Sequence, residues 1–417
     1  MRIVHVLSND CPGGLNHAAL RLNQELLRQG TASWVCVQAR CGHAAAEHAH
    51  PDTIVAHGRG HATMRRRLDS IPAWLLSGKP YLSLSWLPTT IHETVAALNP
   101  DVVHIHQPHG ATVSLLGLSR FGSPLVATLH DMWFFTGGCT FDGGCGRWSA
   151  ACGNCPKVRF PHAHDASSVG YGLKRRAYAK KPISFIAPSR WIEEAARASS
   201  LLGKASIARI PYGIDMEQFA PRAVDEARKA LNLPLDAILL GFVAHDVDDP
   251  RKGIDLTAAV VAAMHDRARG RRVLAVAIGG AAPLANLFAA DSLRFLGRLS
   301  PEKLALAYPA FDAVLVTSRQ DNLPNVAIEA AACGTPVFGF DVGGLRDLVA
   351  IPAESLAAPF DVAALASLLA SAILDTESHQ KRRDAARRHA CDAFDVRAVA
   401  AQHQRLYDQI MHGPEAN

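Results

Sequence analysis

The sequence lacks any apolar run that approaches the roughly 18 to 20 residues of a membrane-spanning helix. It also lacks a secretory signal at its N-terminus, since only Arg2 precedes a short apolar run that is typical of a strand. No repeat or low-complexity segment is evident among the 417 residues. These absences predict a cytoplasmic chain of two or three globular domains.

Two further absences narrow the possible partners. No basic stripe interleaved with aromatic residues is present, and the net charge of +5 is mild, so a nucleic-acid partner is not expected. The same charge would suit anionic ligands or an anionic membrane surface. The Gly-x-Gly-x-x-Gly fingerprint is missing, which argues against a nicotinamide oxidoreductase. Nine cysteines in a cytosolic chain do not indicate a disulfide scaffold.

The stretch 318–336 organises the second half of the chain. It follows an apolar run, residues 311–316, that is typical of a buried parallel strand. Pro324 suits the first turn of a helix, Gly334 suits the end of one, and residues 337–340 form the next apolar run. Ligands of open α/β sheets bind at the carboxyl ends of the strands. Asp321 and Glu329, eight residues apart, are therefore candidates for ligand contact.

This stretch resembles the signature of family 4 retaining glycosyltransferases, which have the GT-B fold. The family pattern is an acidic residue, seven residues and then Glu, with Leu-Pro or Phe-Pro between them; here Asp321 stands for the commoner Glu. The resemblance implies that Glu329 binds the ribose of a nucleotide-sugar donor and that Asp321 binds a hydroxyl of its sugar. The backbone that would face the diphosphate, at a helix N-terminus, belongs to Asn322, Leu323, Pro324 and Asn325.

Two other loops carry residue types that suit a diphosphate. Arg251 and Lys252 stand between an apolar strand and a helix, where cations and helix N–H groups form an anion site. The family has Arg and Lys at this place, with the Arg usually several residues ahead of the Lys. Here Arg251 is adjacent to Lys252, so Lys252 is the firmer match. Gly13 and Gly14 separate the first strand from a helix predicted at 18–29, and the family places a similar Gly-Gly loop beside the diphosphate and the acceptor.

Histidines end two predicted strands of the first half. His104 and His106 share one face of the strand 101–106, and we expect a structural role for His104 and a ligand-facing position for His106. His130 follows the strand 124–129. A single histidine is often structural, but the resemblance implies that His130 lies beside the donor sugar, near its 6-position.

A Gly-rich segment, 137–157, holds Cys139, Cys145, Cys152 and Cys155. Four thiolates at such spacing can close a tetrahedral structural Zn²⁺ site, and we expect metal to order a loop that has little apolar content. Two disulfides or an iron–sulfur cluster are the alternatives.

Residues 57–90 combine basic and apolar-aromatic side chains, which suits either an interfacial helix or a solvated one. The cations at 381–383 and 387–388 are expected on a solvated helical face.

The resemblance covers nearly the whole chain. It implies an α/β GT-B architecture in which two Rossmann-like, doubly wound domains face each other across a cleft. We place an acceptor-side domain at 1–213, completed by a helix at 396–411, and a nucleotide-sugar domain at 214–395. The implied activity is transfer of a sugar to a glycan or polyprenyl-linked acceptor in cell-surface polysaccharide synthesis, with possible contact to the inner face of the membrane. A sugar-nucleotide epimerase and a non-catalytic sugar-nucleotide-binding subunit are the alternatives.

Overall fold

A computed structural model describes residues 1–11, 13–40, 53–56, 59–77, 82–280, 286–289 and 291–412. Two compact units share the chain: one comprises Met1–Pro211 with the segment that starts at Val399, and the other comprises Tyr212–Ala398. None of the described helices is both long and apolar enough to span a bilayer.

The first unit alternates strands and helices along the chain. Short 3₁₀ turns at Leu115–Arg120, Trp133–Phe135 and Arg147–Ser149 interrupt this alternation. The regular elements are β1 (Arg2–Asn9), α1 (Gly14–Arg28), β2 (Ala32–Ala39), β3 (Thr53–Val55), α2 (Arg59–Ser77), α3 (Ile91–Ala96), β4 (Val102–Ile105), β5 (Leu125–Thr128), α4 (Ala166–Lys180), β6 (Ile183–Ala187), α5 (Arg190–Ala198) and β7 (Ile207–Arg209).

Seven parallel strands form the sheet of the first unit, in the order β3-β2-β1-β4-β5-β6-β7. The inner strands are buried on both faces, which explains why they are nearly continuous apolar runs in the sequence, whereas the edge strands β3 and β7 are partly exposed. The order reverses between β1 and β4, and such a switch point opens a crevice at the carboxyl ends of the two strands. The loop with Gly13 leaves β1 at this end, and His106 follows β4.

The second unit has the same plan. Its 3₁₀ turns lie at Tyr308–Ala310 and Leu345–Asp347. The regular elements are α6 (Val224–Ala230), β8 (Ile238–Asp246), α7 (Ile254–His265), β9 (Val273–Gly280), β10 (Leu293–Gly297), α8 (Pro301–Ala307), β11 (Ala313–Val316), α9 (Asn325–Ala332), β12 (Val337–Phe340), α10 (Pro352–Ser355), β13 (Leu356–Ala357), α11 (Val362–Ile373), α12 (Thr376–Phe394) and α13 (Val396–His412), the last of which continues into the first unit.

Six parallel strands form the second sheet, in the order β10-β9-β8-β11-β12-β13. The switch point lies between β8 and β11. These are the strands that lead into the dibasic loop and into the stretch around Asp321. The predicted pair of doubly wound parallel sheets is confirmed.

Two expectations about helices are wrong. Helix α1 begins at Gly14, four residues before the predicted start, because Gly13 serves as its N-cap and His17 N donates to the Gly13 carbonyl. The cations of α12 do not share one solvated face. Arg383 donates to the carbonyls of Phe311 and Pro309, and Arg387 donates to three carbonyls, those of Met216, Phe219 and Ala332. These two side chains hold α12 to the rest of the second unit.

Candidate functional site

The switch point of the second sheet brings three predicted site residues together. Lys252, just before α7, lies with its Nζ 2.5 Å from Asp321 Oδ2. Arg251 Nη1 lies 3.5 Å from the same oxygen and donates to the Gln320 carbonyl at 3.0 Å. Asp321 and Lys252 are 69 residues apart in the sequence. Adjacent strand tips therefore assemble a compact cluster of two cations and one carboxylate.

The charges of this cluster stabilise one another. Burial alone would raise the pKa of Asp321, but attraction to Lys252 and Arg251, with hydrogen bonds from Lys252 and Ser318, holds that pKa below its ordinary value. The carboxylate is thus ionised at neutral pH. Asp249 also accepts from the Arg251 side chain at 3.2 Å, which orients the guanidinium. The two cations remain partly exposed, by 29% and 21%, so an anionic ligand can reach them.

Gly343 fixes the backbone that carries Asp321. Its φ of +59° lies in the left-handed region, and a Cβ on it would stand 1.8 Å from the Asp321 carbonyl oxygen. Gly344 N donates to that carbonyl at 3.2 Å. Only glycine permits this close approach. The Gly-Gly pair at 343–344 therefore positions the Asp321 loop, and a 3₁₀ turn follows it at Leu345–Asp347.

Helix α9 carries Glu329 into the interior. Glu329 is 4% exposed, and its carboxylate accepts a hydrogen bond of 2.8 Å from the Tyr308 hydroxyl. Glu329 therefore does not lie on a solvated side of the helix. Pro324 is the N-cap of α9, one position before the first turn where the sequence placed it. The other three residues assigned to the diphosphate have buried side chains: Asn322, Leu323 and Asn325.

In the first unit, Gly13 and Gly14 form the junction between β1 and α1. Asn9 Oδ1 accepts from the Cys11 amide and from Asn16 Nδ2, and this pair of contacts fastens the loop to the helix. A Cβ placed on Gly13 would meet no described protein atom within 4 Å. The backbone at Gly13 is therefore open on the side where a side chain would stand, which suits close approach of a ligand.

His130 lies two residues beyond β5 and is 9% exposed. The next residue, Asp131, accepts from the Trp133 amide at 2.8 Å and lies 3.6 Å from His109 Nε2, so it shapes the turn that follows. The buried Lys174 donates to the carbonyls of Trp133 and Thr136, and its Nζ lies 3.6 Å from the Trp133 ring centroid. Burial lowers the pKa of Lys174 to about 7. These contacts hold the backbone after His130.

A chain of buried imidazoles supports His130. Its Nε2 lies 2.9 Å from His106 Nδ1, and His106 Nε2 lies 2.9 Å from His5 Nδ1. His104 is hydrogen-bonded to Tyr407 and Thr128 at 2.7 Å each, as its predicted structural role requires. His5, His104 and His106 are the one cluster among the described residues whose ligand atoms are close enough for a metal ion. Five of their six ring nitrogens already have hydrogen-bond partners, which makes this a hydrogen-bonded network.

The four cysteines of the loop 137–157 line one small cavity and are thiols in this structure. Burial raises the pKa of Cys139 to about 11 and that of Cys152 to about 12. Within the described part of the chain, no three of their sulfur atoms lie within 4.8 Å of one another. Tetrahedral Zn²⁺ with Zn–S bonds of about 2.3 Å would draw the sulfurs to about 3.8 Å.

Hydrogen bonds to two aspartates also order the cysteine loop, although its sequence predicts that a metal is needed. Asp142 accepts from the amides of Gly144 and Gly146 and from the Trp148 indole. Asp165, the N-cap of α4, also accepts from the Cys155 amide. Two carboxylates therefore supply the local structure that was attributed to a metal alone.

Several residues that complete these sites were not found from the sequence. His5, Lys174 and Tyr308 act from other segments of the chain, so local patterns carry no signal for them, whereas Asp131, Asp249 and Ser318 lie within three residues of the site residue that they support. Tyr308 lies in a 3₁₀ turn and Asp249 in the loop after β8, where polar residues are common and do not by themselves indicate a site. His5 is a polar residue within the apolar strand β1, so the sequence could have marked it as a candidate. The missed residues are His5, Asp131, Lys174, Asp249, Tyr308 and Ser318.

Comparison with known families places both halves of the chain. Residues 12–218 match the family described as Glycosyltransferase Family 4, and residues 223–389 match the family described as Glycosyl transferases group 1. The two matches are consecutive and lie on the two units in turn.

Curated relatives carry the same kind of name. A D-inositol 3-phosphate glycosyltransferase of Kribbella flavida is 30% identical over 311 residues, which are 70% of this chain and 67% of that one. The enzyme of that name from Actinosynnema mirum is 29% identical over 264 residues, 59% of this chain, and the match spans only 57% of its length. A putative colanic acid biosynthesis glycosyl transferase of Escherichia coli, WcaC, is 28% identical over 357 residues, 81% of this chain and 82% of that one.

Among solved structures, HepE of Anabaena in complex with UDP and glucose matches with a TM-score of 0.69 and 18% identity. The match covers 98% of this chain and all of that one. At this identity the likeness concerns the fold, and it confirms the GT-B architecture expected from the sequence.

Proposed function

The chain belongs to glycosyltransferase family 4 and is a glycosyltransferase, and from this premise we propose that it moves a sugar from a nucleoside-diphosphate sugar to a glycan or polyprenyl-linked acceptor, with retention at the anomeric carbon. The observation that carries the proposal is the cluster of Lys252, Arg251 and Asp321 at the β8–β11 switch point. Two cations at a strand tip, next to the N-terminus of α7, form a site for a diphosphate.

The cations suit the charge that develops during transfer. As the bond from the sugar to the phosphate breaks, negative charge grows on the leaving diphosphate and positive charge grows on the sugar. Lys252 and Arg251 would stabilise that negative charge in a preorganised site. Asp321 would contact a sugar hydroxyl, and Glu329 the ribose, as the family resemblance implies. Gly13 and Gly14 would bring backbone amides to the diphosphate and acceptor, and His130 would contact the transferred sugar.

Retention needs either a covalent intermediate or attack from the face that the leaving group departs. A retaining glycosidase uses a carboxylate nucleophile. Asp321 is a poor nucleophile, because two cations and the Ser318 hydroxyl already engage its Oδ2 atom. We therefore propose same-face attack, in which the acceptor oxygen bonds to the anomeric carbon, the bond from that carbon to the diphosphate oxygen breaks, and the departing nucleoside diphosphate takes the acceptor proton on one of its oxygens.

The relatives suggest where to look for substrates. HepE binds UDP and glucose, and WcaC is named for colanic acid biosynthesis. We propose a UDP-sugar as the first donor to test and cell-surface polysaccharide synthesis as the process.

The proposal is tested by product analysis with UDP-, GDP- and ADP-sugars, each with and without polyprenyl-linked sugar acceptors. We expect a new glycoside that appears only when the acceptor is present and keeps the anomeric configuration of the donor. A changed sugar nucleotide in the absence of acceptor would establish the epimerase alternative. Donor binding without turnover on any acceptor would favour a non-catalytic subunit.

We also propose that α2 contacts an anionic lipid surface. The helix exposes apolar side chains with helical spacing on one face, while Asp69 on the opposite face is buried and accepts hydrogen bonds from Ser83 and from the Trp86 amide. Arg66 and Arg67 are exposed beside the apolar face. The exposed apolar residues are Met64, Leu68, Ile71, Trp74 and Leu75. Basic and apolar composition together suit a helix that lies in a membrane interface. Lys79 and Tyr81 belong to the same segment, 57–90, and lie outside the described residues.

Replacing Trp74 and Leu75 together with serine is expected to weaken binding to vesicles that contain phosphatidylglycerol by at least about tenfold, because each lost apolar contact is worth roughly 1.5 to 3 kcal/mol. Co-sedimentation measures the effect. Leu235→Ser is the matched control, since Leu235 is an exposed leucine of the second unit. Equal sedimentation of the double variant and the wild type, or of anionic and neutral vesicles, would contradict the lipid contact.

We further propose that the four cysteines of the loop 137–157 hold one structural metal ion, with zinc the best match for four thiolates. Their convergence on one cavity supports this proposal. Elemental analysis of the purified chain is expected to give about one zinc per chain. A Cys152→Ser and Cys155→Ser double variant should lose it, whereas Cys391→Ser, outside the loop, should keep it. Iron with acid-labile sulfide, or a chain free of metal, would refute the zinc assignment.

A further inference from the structure

The buried histidine chain of the first unit has a direction. His5 Nδ1, His106 Nε2, His106 Nδ1 and His130 Nε2 form two consecutive hydrogen bonds of 2.9 Å. A neutral imidazole carries one N–H donor and one acceptor nitrogen. Once the proton position of one ring is set, those of the other two follow. The chain therefore has two possible states, with the protons on opposite nitrogens.

The far end of the chain selects one state. His5 is fully buried, and its Nε2 has no hydrogen-bond partner among the described residues. If the protons ran from His130 towards His5, that nitrogen would carry an orphaned buried N–H group, which is rare in proteins. With the protons running the other way, only a lone pair is left without a partner. His5 then donates to His106, and His106 donates to His130 Nε2.

The surroundings keep the chain neutral and aligned. Burial, with a smaller contribution from the nearby His403, lowers the pKa of His5 and of His130 to about 3. Around His130, Asp131 raises the pKa while His109 lowers it, and burial outweighs them. His104, fixed by Tyr407 and Thr128, stacks on His106 with ring centroids 4.0 Å apart.

We propose that His106, backed by His5, is a positioning residue that holds His130 in the tautomer with its proton on Nδ1, so that His130 works as a neutral hydrogen-bond donor. The identity of its acceptor, an oxygen of the transferred sugar, rests on the proposed function. The tautomer is inferred from the direction of the histidine chain and does not depend on which ligand is bound. His130 would thus select a ligand with an acceptor oxygen at that place, and it would not exchange a proton with the ligand during transfer.

The test is long-range ¹H–¹⁵N NMR of the full chain labelled with ¹⁵N-histidine, with the His130 signals assigned by their loss in His130→Gln. At pH 7 we expect a protonated Nδ1 and an unprotonated Nε2 for His130. The reverse pattern, an imidazolium, or a mixture of both tautomers would overturn the proposal. The readout needs no substrate, so its failure is distinguishable from failure of the proposed function.

Two variants of His106 distinguish the hydrogen-bonding role of its side chain from the space that the side chain fills. His106→Gln keeps an acceptor for His5 and a donor for His130, and we expect it to keep the His130 tautomer. His106→Met fills similar space without a donor, and we expect mixed tautomers and a roughly tenfold lower kcat once a donor is found. His92→Gln, elsewhere in the same unit, is the control and should leave both unchanged. Retention of the single Nδ1–H tautomer in His106→Met would show that His106 does not set it.

Discussion

Replacing Lys252 with alanine is expected to abolish the thermal stabilisation that a nucleotide-sugar donor confers and to lower turnover roughly 10²- to 10³-fold. The reason is electrostatic, since Lys252 is one of two cations placed to meet the leaving diphosphate, and one preorganised group that stabilises developing charge is worth roughly 10²- to 10³-fold in rate. Donor-dependent thermal shift and steady-state kinetics measure the two effects.

The control for this prediction is Lys381→Ala. Lys381 forms a surface ion pair with Glu377 on α12, with a side chain 74% exposed, and such pairs are worth little. Its removal should leave both readouts within error of the wild type. If Lys252→Ala kept full donor stabilisation, the dibasic loop would not be the diphosphate site, and the assignment of Arg251 would fall with it.

Glu329 carries the second large expected effect. Glu329→Ala should also abolish stabilisation by the donor, and Glu329→Gln should lower donor affinity by at least about tenfold, because a neutral amide is a weaker partner for a ribose hydroxyl than a carboxylate. The amide can still accept from Tyr308, so the fold contact of 2.8 Å is kept. Calorimetric titration with the donor measures the affinity.

Tyr308→Phe separates binding from structure. This change removes the hydrogen bond to Glu329 and leaves its carboxylate in place. If Glu329 binds the ribose, Tyr308→Phe should lower donor affinity less than Glu329→Gln does. If the two variants lost thermal stability alike and both kept wild-type donor affinity, Glu329 would be a structural partner of Tyr308 only.

Much of the candidate site in the second unit could be predicted, because the strand, loop and helix that carry Asp321 and Glu329 are consecutive in the sequence. A buried strand, a polar loop and a helix follow one another within the stretch that carries Asp321 and Glu329, and each has its own residue pattern. Because the carboxyl ends of parallel strands meet at one edge of a sheet, the proximity of Lys252 to Asp321 could also be predicted from the sequence. That these two residues pair directly, with Gly343 pressed against the Asp321 backbone, depends on the register of neighbouring strands.

The roles of other residues could not be predicted, because they depend on contacts between segments that are distant in the sequence. Arg387 looked like part of a solvated run because its spacing matches an ordinary helix face, yet it donates to three carbonyls in two distant segments. His106 was expected to face a ligand, but its ring links His5 to His130 instead. No local pattern distinguishes these outcomes, since the deciding partners lie up to 171 residues away.

The most direct test of the central claim compares nucleoside diphosphate with nucleoside monophosphate. If Lys252 and Arg251 bind the diphosphate, the wild type should bind UDP, or the diphosphate of whichever base proves correct, far more tightly than the monophosphate. Lys252→Ala should remove most of that preference and leave monophosphate affinity nearly unchanged. An equal preference for the diphosphate in both proteins would contradict the account.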